Sequence, residues 1–487
     1  MKYILLSQDN YAYDIHSLVK AFFPSEDVLV SNDITKLKEN GCTEPDYYIE
    51  LNNDSFSISA SGLEGDKSGI NASGLDISNR PEYKNELKRV LYHILSKATG
   101  RSLPWGVLTG IRPTKIAKSI LDKGLSKADV IDTMTHTYYC STSKASLAAD
   151  IAEYENEILS RIDYEKGYSL YIGIPFCPST CLYCSFTSYA IGAYRKWVPD
   201  YITALKKEID YVSENFKDRV LNTVYIGGGT PTTLEADDLR DLIDYLKSSL
   251  DFSHVLEFTV EAGRADSITE DKLRCLYEAG VTRISVNPQT MNEETLKIIG
   301  RKASAAATVE AYKIARDIGF DNINMDLIIG LPGEDIEDVR YTLEKVRELK
   351  PDSLTVHSLA IKRASRLSQV IDEMGYDMIR NSDEIMELTN RVATDMDMKA
   401  YYLYRQKNMT GNFENVGYAL RNKAGIYNIL IMEEVQDIVA LGAGTVSKRL
   451  FPGGRLERCD TVKDVNLYID KIDEMIERKH KLYSVQS

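Results

Sequence analysis

Short apolar runs alternate with helical patterns between residues 168 and 359, and this alternation constrains the fold more than any other feature. The predicted strands are Tyr168–Ile174, Asn222–Ile226, Val255–Glu261, Arg283–Asn287, Asn322–Ile329 and Ser353–Leu359. The predicted helices between them are Trp197–Asn215, Glu235–Leu250, Thr269–Ala279, Ala303–Ile318 and Asp335–Leu349. Such alternation is typical of βα units around a parallel sheet. Six units in sequence therefore predict an incomplete (β/α)6 barrel in an α/β protein.

The chain has 487 residues, which predicts two to four domains at roughly 150 residues each. We predict an N-terminal α+β accessory domain over residues 1–102 and a helical linker region over 103–166. The partial barrel occupies residues 167–363, and an α-rich region that covers the substrate follows over 364–487. The linker opens with Trp105-Gly106-Val107-Leu108-Thr109-Gly110-Ile111-Arg112-Pro113, to which no chemistry is assigned.

Charge and hydropathy exclude two classes of protein. Lys and Arg number 59 against 73 Asp and Glu, so the net charge of −14 disfavours a protein that tracks nucleic-acid phosphates. No apolar run approaches the roughly 18 residues that a membrane helix needs. Because the N-terminus turns polar directly after Leu6, we expect no signal peptide and a cytoplasmic protein.

Three of the seven cysteines lie within eight residues, directly after the first predicted strand. Cys177, Cys181 and Cys184 have the spacing CxxxCxxC, and an odd total is not a disulfide framework. A structural zinc site needs four ligands, and a CxxC redox pair leaves Cys177 unexplained. A [4Fe–4S] cluster held by three thiolates, with its fourth iron open, fits better. The other four are expected to be buried, reduced thiols: Cys42, Cys140, Cys275 and Cys459.

Unusual polar residues follow the other predicted strands, where β/α barrels place their chemistry. The run Gly227-Gly228-Gly229-Thr230-Pro231 follows strand two and would let backbone approach a ligand closely. Glu261 ends strand three, where its carboxylate can accept hydrogen bonds. Gln289 follows strand four, Arg301 lies twelve residues further on, and Asp326 belongs to strand five. Their order along the strands indicates one ligand site.

The cysteine spacing after the first strand of such a barrel resembles the radical S-adenosylmethionine (SAM) superfamily. The resemblance implies that Cys177, Cys181 and Cys184 are the catalytic cluster ligands, and that SAM binds the open iron. Reductive cleavage of SAM then yields a 5′-deoxyadenosyl radical. From about Tyr168 to Ser447 the motifs resemble the oxygen-independent coproporphyrinogen III oxidase (coproporphyrinogen dehydrogenase) family. The N-terminal domain and the stretch Tyr401–Tyr418 resemble its longer HemZ branch.

The resemblance also implies the residues that contact SAM. They are Tyr171, Tyr183, Gly228, Gly229, Thr230, Glu261, Gln289, Arg301, Asp326 and Ala360. Some members of the family hold a second SAM. Its implied contacts here are Gly229, Thr230, Gln289, Arg301 and Asp326.

The implied reaction is the anaerobic oxidative decarboxylation of coproporphyrinogen III to protoporphyrinogen IX in heme biosynthesis. It needs a low-potential electron donor such as flavodoxin or ferredoxin. Cations are candidates for binding the substrate carboxylates, namely Arg301, Lys302, Arg363, Arg405 and Lys407. Tyr401, Tyr402 and Tyr404 would either stack on pyrrole rings or form a half-buried strand.

Two positions depart from the family pattern. Gly173 stands where the family usually has histidine, and Phe186 stands where the established oxidases have a fourth cysteine. The related heme chaperones also lack that cysteine, but their His-Asn-x-x-Tyr-Trp motif is absent from this tail. Two alternatives therefore stay open: a heme-binding chaperone or trafficking protein, and another radical SAM enzyme that acts on heme.

Overall fold

The computed structural model describes residues 1–61, 70–76, 78–110, 112–361, 366–367, 375, 378–406 and 413–484. The chain divides into two compact units. Unit 1 comprises Met1–Ala152 and Tyr404–Glu414, and unit 2 comprises Glu153–Leu403 and Asn415–Ser487. Most of the region predicted as a helical linker, up to residue 152, therefore belongs to unit 1.

Unit 1 is an α+β structure, as the sequence predicts for the N-terminal domain. Its strands are β1 (Lys2–Leu6), β2 (Val28–Ser31), β3 (Tyr47–Leu51), β4 (Ser55–Ala60) and β5 (Ile70–Ser73). Its helices are α1 (Ala12–Phe22), α2 (Ile34–Glu39), α3 (Arg80–Thr99), α4 (Thr114–Leu121), α5 (Lys127–His136) and the start of α6 (Thr142–Leu159).

The sheet of unit 1 has the order β2-β1-β3-β4-β5. Strand β1 is parallel to β2 and β3, whereas β3, β4 and β5 are antiparallel. Helices α1 and α3 bury one apolar stripe each, because Ile15, Leu18, Leu87 and Leu91 recur at helical spacing and are inaccessible to solvent. These side chains share one core with the buried face of the sheet.

Unit 2 contains the alternating elements that the sequence predicts. The strands and two short extended segments are β6 (Gly167–Ile174), β7 (Phe176–Cys177), β8 (Tyr189–Ala190), β9 (Val220–Gly228), β10 (Glu257–Glu261), β11 (Arg283–Ser285), β12 (Ile323–Ile329) and β13 (Ser353–Ser358). The helices are α7 (Ile191–Tyr194), α8 (Val198–Asn215), α9 (Ala236–Ser249), α10 (Glu270–Glu278), α11 (Glu293–Ile298), α12 (Ala305–Ile318) and α13 (Ile336–Leu349).

Six parallel strands lie side by side in the order β13-β12-β11-β10-β9-β6. Each is joined to the next by a helical crossover, and the sheet has two edges. This arrangement is the predicted partial β/α barrel. Its carboxyl strand ends lie at one end of the sheet, because all six strands point the same way.

The chain after the barrel adds helices and five further strands. The helices are α14 (Asp383–Asp395), α15 (Ile426–Glu433), α16 (Val465–Asp470) and α17 (Ile472–Ser484). The strands are β14 (Lys399–Tyr404), β15 (Asn415–Ala419), β16 (Asp437–Leu441), β17 (Val446–Leu450) and β18 (Leu456–Asp460). The alternation of polar and apolar residues did not reveal β15 and β16, because every residue of both strands is buried.

Strand β16 extends the barrel sheet on the side of β6. It runs parallel to β6, pairing Asp437 with Tyr168 and Leu441 with Ile172. At the other side β15 is antiparallel to β13. Among the described residues this sheet has eleven strands, with β14 at one edge and β18 at the other. The first barrel strand therefore has a neighbour on each side, β9 and β16.

Candidate active site

The three clustered cysteines follow β6, the first barrel strand. Cys177 and Cys181 are buried and Cys184 is partly exposed, and all seven cysteines of the chain are free thiols. Cys42, Cys140 and Cys275 are buried, as expected, and Cys459 is partly buried. Among the residues that the structure describes, no three His, Cys, Asp or Glu side chains are arranged to hold a single metal ion.

The side chains of Thr230 and Arg264 are among those that approach the cysteine sulfur atoms. Thr230 Oγ1 lies 3.5 Å from Cys177 Sγ, and Arg264 Nη1 lies 3.4 Å from Cys181 Sγ. Arg264 is buried, forms an ion pair with Asp266 at 2.7 Å and donates to the carbonyl oxygen of Ser179 at 2.7 Å. Its guanidinium therefore fixes the cysteine loop and places a positive charge beside a thiol. Sequence analysis missed Arg264, although it follows strand three by only three residues.

The glycine run after β9 brings backbone against Cys177. Gly228 has a φ of +111°, which disfavours any other residue. A Cβ atom on Gly229 would lie 3.0 Å from Cys177 Sγ and 2.6 Å from the carbonyl oxygen of Phe176. The amide of Thr230 donates to that same carbonyl at 2.7 Å. The glycine run therefore brings backbone close to a cysteine, while its approach to a ligand stays a prediction.

Glu261 lies beside a stack of three tyrosine rings in the barrel. The hydroxyl of Tyr225 donates to Glu261 Oε1 at 2.5 Å. The ring of Tyr225 stacks on Tyr427 at 4.6 Å and on Tyr171 at 5.9 Å between centroids. Burial raises the pKa of Glu261 to about 7, against the opposing effect of the Tyr225 hydrogen bond. Of these residues, sequence analysis named Tyr171 and Glu261 but neither Tyr225 nor Tyr427.

Asp326 is a second carboxylate of the barrel interior, with the opposite electrostatics. Burial raises its pKa, but the hydrogen bond and charge of His357 outweigh that effect, so the net pKa lies below the usual value. Asp326 Oδ2 is 3.8 Å from His357 Nε2, and Oδ1 accepts from Asn324 Nδ2 at 2.7 Å. Two carboxyl groups with oppositely shifted pKa values are a feature of ligand and catalytic sites. Burial and the charge of Asp326 raise the pKa of Glu261 by more than the charge of His357 lowers it.

Arg301 joins the cysteine loop to the end of strand four. Nη2 donates to the hydroxyl of Tyr183 at 3.2 Å, and Nη1 donates to the carbonyl oxygens of Gly263 and Asn287 at 3.1 Å each. Its Nε is buried and has no hydrogen-bond partner among the described residues. An unsatisfied buried donor is costly, so this atom points to a missing acceptor.

The two remaining predicted SAM contacts also follow barrel strands. Gln289 is buried with a φ of +66°. Its backbone N–H donates to the backbone carbonyl oxygen of Asp326 at 2.9 Å. Ala360 follows β13 and is partly buried. The left-handed backbone of Gln289 is strained for a residue with a side chain, and such strain is commonest at functional sites.

The structure describes three of the five cations predicted to bind the substrate carboxylates. Lys302 is exposed, and Arg405 belongs to unit 1, where it donates to the carbonyl oxygen of Leu108 at 2.6 Å. Arg363 and Lys407 lie outside the described residues. Of the three described cations, Arg301 is the one that contacts the cysteine loop and the ends of the barrel strands.

The tyrosine cluster forms a strand, which confirms one of the two interpretations given for it. Tyr401 and Tyr402 lie in β14 and are buried. The ring of Tyr402 packs on Gly417 of β15, and the hydroxyl of Tyr401 accepts from Asn428 Nδ2 at 3.3 Å. Both rings are therefore packed inside the sheet and are inaccessible to a pyrrole ring in this structure.

The glycine turn after β16 supports the cysteine-bearing strand. The hydroxyl of Tyr201 donates to the carbonyl oxygen of Gly173 at 2.7 Å and accepts from the amide of Ala443 at 2.9 Å. Glu208 accepts from the amide of Gly442 at 2.8 Å and pairs with Lys479, both side chains being inaccessible to solvent. The C-terminal helix α17 thus stabilises the turn that lies against the end of β6.

These residues fit an iron–sulfur cluster with a small-molecule ligand beside it. One loop carries three free thiols, the backbone of Gly229 leaves space beside Cys177, and Arg301 offers an unused donor. Cys177, Cys181 and Cys184 would hold the cluster through three of its irons.

Comparison with known proteins defines the class. Residues 171–346 match the family model of the radical SAM superfamily. The fold is similar to the solved structure described as coproporphyrinogen III oxidase (HemN) from Escherichia coli, a radical SAM enzyme. The TM-score is 0.52 at 22% identity, covering 66% of this chain and 72% of that one. Fold and site thus define a radical SAM protein, whose cofactors are a [4Fe–4S] cluster and SAM.

Curated relatives narrow the class to a family. The chain is 39% identical over 406 residues to the "oxygen-independent coproporphyrinogen-III oxidase-like protein HemZ" of Bacillus subtilis, covering 82% of this chain and 81% of the relative. It is 37% identical over 198 residues to the "heme chaperone HemW" of the same organism, covering 40% and 51%. The protein belongs to the HemZ-like family of radical SAM proteins. None of its described helices has the length and apolar character to cross a membrane.

Proposed function

We propose that this protein is a radical SAM enzyme that oxidatively decarboxylates coproporphyrinogen III to protoporphyrinogen IX. The observation that carries the proposal is the match over four fifths of both chains to a coproporphyrinogen-III oxidase-like relative. The HemN-like fold agrees with a tetrapyrrole as substrate.

SAM binds, in this proposal, among the residues at the carboxyl ends of the barrel strands. The carboxylate of Glu261 accepts a hydrogen bond from the SAM amino group or from a ribose hydroxyl, and Tyr225 orients that carboxylate. Arg301 uses its free Nε as a donor to the ligand. Tyr171, Tyr183, Gly228, Gly229, Thr230, Gln289, Asp326 and Ala360 complete the contacts.

When bound, the cluster and SAM together supply a 5′-deoxyadenosyl radical. The residues of this chain orient the reacting groups and exclude water from them. The stacked rings of Tyr171, Tyr225 and Tyr427 supply the apolar surface beside Glu261 that excludes water. Overall, each of two propionate groups would transfer one β-hydrogen atom to that radical and one electron to an external electron acceptor, lose CO₂ and become a vinyl group. An external low-potential reductant such as flavodoxin or ferredoxin supplies the electron that starts each turnover.

A second SAM is part of the proposal. Gly229, Thr230, Gln289, Arg301 and Asp326 are its contacts, and they come from three different strand ends. Equilibrium dialysis of reconstituted protein with labelled SAM counts the bound molecules. Two per chain support this part of the proposal, and one per chain contradicts it.

The decisive test is an anaerobic assay of reconstituted protein with SAM, a strong reductant and coproporphyrinogen III. We expect 5′-deoxyadenosine, CO₂ and protoporphyrinogen IX, with the tricarboxylic intermediate between substrate and product. Formation of 5′-deoxyadenosine without a vinyl product would contradict decarboxylation. Heme consumption under the same conditions would then identify heme as the substrate.

A second candidate function is heme binding by a chaperone or trafficking protein, because HemW relatives match between 40% and 62% of this chain. Spectral titration separates the two candidates. Stoichiometric heme binding with no turnover of coproporphyrinogen III favours the chaperone. Turnover of the metal-free porphyrinogen favours the enzyme.

A further inference from the structure

Two stretches of sequence that the barrel chemistry does not use belong to unit 1 and contact each other there. The first motif is residues 105–113, and the second motif is residues 404–414. Trp105 opens the first motif, and its indole nitrogen donates to Glu414 Oε2 at 2.7 Å. Arg405 belongs to the second motif, and its Nη1 donates to the carbonyl oxygen of Leu108 at 2.6 Å. All four residues are part of the same compact unit. The two motifs therefore build one local structure.

A cavity of about 360 Å³ lies where these motifs meet α1 and α3. Its volume falls within the range of small-molecule sites, about 300–1,000 Å³. The lining combines apolar and aromatic surface with a few polar groups. The residues that matter here are Tyr13, Lys84, Lys88, Thr109, Tyr138 and Gln406.

Lys88 is the unusual member of this lining. The residue is 6% exposed, and its ammonium makes a single hydrogen bond among the described residues, to Thr109 Oγ1 at 2.9 Å. Burial lowers the pKa of Lys88 to about 8. An ammonium carries three donors, so two have no protein acceptor in the described structure. A buried cation without a paired anion is costly.

The lining offers Lys88 one acidic neighbour, Asp14, whose charge favours the protonated form of Lys88 but is outweighed by burial. Asp14 is the acidic residue of the lining, and it lies 4.0 Å from Nζ of Lys84. Arg405 adds a second buried positive charge that opposes the protonated form of Lys88. Cations thus outnumber anions around a partly apolar cavity, which is complementary to an anionic ligand with an apolar body.

We propose that this cavity binds a small molecule in which a carboxylate is attached to an apolar or aromatic body. The carboxylate pairs with the Lys88 ammonium and accepts from the Thr109 hydroxyl. The body lies against Val107, Ile116 and the ring of Tyr138. A carboxylate suits this site better than a phosphate, because the lining sets the ammonium groups of Lys84 and Lys88 against the carboxylate of Asp14, which leaves a surplus of one positive charge. The site is independent of the barrel chemistry proposed above.

Calorimetry on the full-length, cluster-reconstituted protein tests the proposal with sodium benzoate, sodium hexanoate and sodium phosphate as probes. We expect one of the two carboxylates to bind, and Lys88→Met to weaken that binding at least tenfold. The matched control is Lys97→Met, which removes an exposed lysine from the same helix and leaves the affinity unchanged. Lys88→Arg keeps the charge and retains part of the affinity.

Three outcomes would overturn the proposal: no binding of either carboxylate, binding of phosphate alone, or equal affinity in Lys88→Met. If Lys88→Met fails to fold, crystals of the wild-type protein soaked with 4-bromobenzoate give the answer instead. Anomalous scattering from bromine inside the cavity supports the site. Bromine found only elsewhere, or nowhere, contradicts it.

Discussion

The methyl group of Thr445 fills the space into which a side chain at position 173 would project. A Cβ atom on Gly173 would lie 2.6 Å from Thr445 Cγ2. Thr445 is buried, and its hydroxyl donates to the carbonyl oxygen of Gly442 at 2.8 Å, so the methyl group cannot turn away without breaking that bond. The family motif usually has histidine at this position. In this protein Thr445, in the turn after β16, occupies the space that a side chain at position 173 would need.

We predict that Gly173→Ala destabilises the protein by about 1–3 kcal/mol, because it forces two buried carbon atoms into overlap. Thr445→Ser removes the obstructing methyl group but keeps the hydroxyl. The double variant Gly173→Ala/Thr445→Ser should therefore recover most of the lost free energy of unfolding. Urea denaturation of the four proteins measures the coupling. Additive effects of the two substitutions would show that the predicted overlap is absent.

Cys181→Ala should abolish the absorption of the reconstituted cluster and the cleavage of SAM. The physical reason is the loss of one of three thiolate ligands. Cys275→Ala is the control, since that buried thiol lies in α10 and takes no part in the three-cysteine loop. Iron content and 5′-deoxyadenosine are the readouts. SAM cleavage that persists in Cys181→Ala would refute the cluster assignment.

SAM affinity should rise as the pH passes the pKa of Glu261, about 7, because the carboxylate is the form that accepts hydrogen bonds. Tyr225→Phe removes the donor that lowers this pKa, so it should move the midpoint to higher pH. Glu261→Gln should bind SAM more weakly and lose the midpoint. Anaerobic calorimetry from pH 6 to 8.5 measures all three profiles. A midpoint retained in Glu261→Gln would assign the titration to another group.

Lys479→Met should destabilise the protein strongly, by about 3–5 kcal/mol, because it leaves the buried carboxylate of Glu208 without its cation. Lys481→Met, two residues further on, removes an exposed lysine and should change stability by less than about 1 kcal/mol. Adding Glu208→Gln to Lys479→Met should restore part of the loss. Thermal unfolding of the apo-protein compares the variants; equal effects of the two lysine substitutions would contradict a buried pair.

Stability should fall as the pH rises from about 4.5 to 7, and Glu334 accounts for part of this fall. Burial raises its pKa from 4.5 to about 7, so in this window the unfolded chain binds fewer protons than the native one. The expected loss is up to about 3 kcal/mol. Glu334→Gln should make the free energy of unfolding depend less steeply on pH. Some pH dependence should remain in that variant, because the pKa of Glu261 is raised in the same way. Urea midpoints at pH 5 and pH 7.5 supply the comparison; an unchanged slope would exclude Glu334.

The barrel strands were predictable because their signal is local. Each apolar run stands between loop residues and a helix, and the residues at the strand ends stand out by type. Cys177, Gly229 and Glu261 could therefore be placed in one region from their order along the chain alone. The structure indeed puts Gly229 against Cys177.

The missed features depend on contacts between distant parts of the chain. Tyr427 stacks on Tyr225 across about two hundred residues of sequence, and no local pattern connects them. Arg264 and His357 lie next to strand ends, but an isolated arginine or histidine is usually a surface residue. Strand β16 has no alternation to detect, since it is buried on both faces. Lys88 is buried, and nothing in its local sequence indicates that burial.

Strand β16 also determines when the protein can mature during synthesis. The cysteine-bearing strand β6 has β16 as its neighbour, and Lys479 holds the adjoining turn through Glu208. A nascent chain that ends at Cys184 still lacks about three hundred residues of this sequence, including β16, the neighbour on one side of β6. Strand β6 therefore obtains its second neighbour only after β16 has left the ribosome. We expect a chain truncated before β16 to leave one side of β6 unpaired and the adjacent thiols more accessible to oxidation.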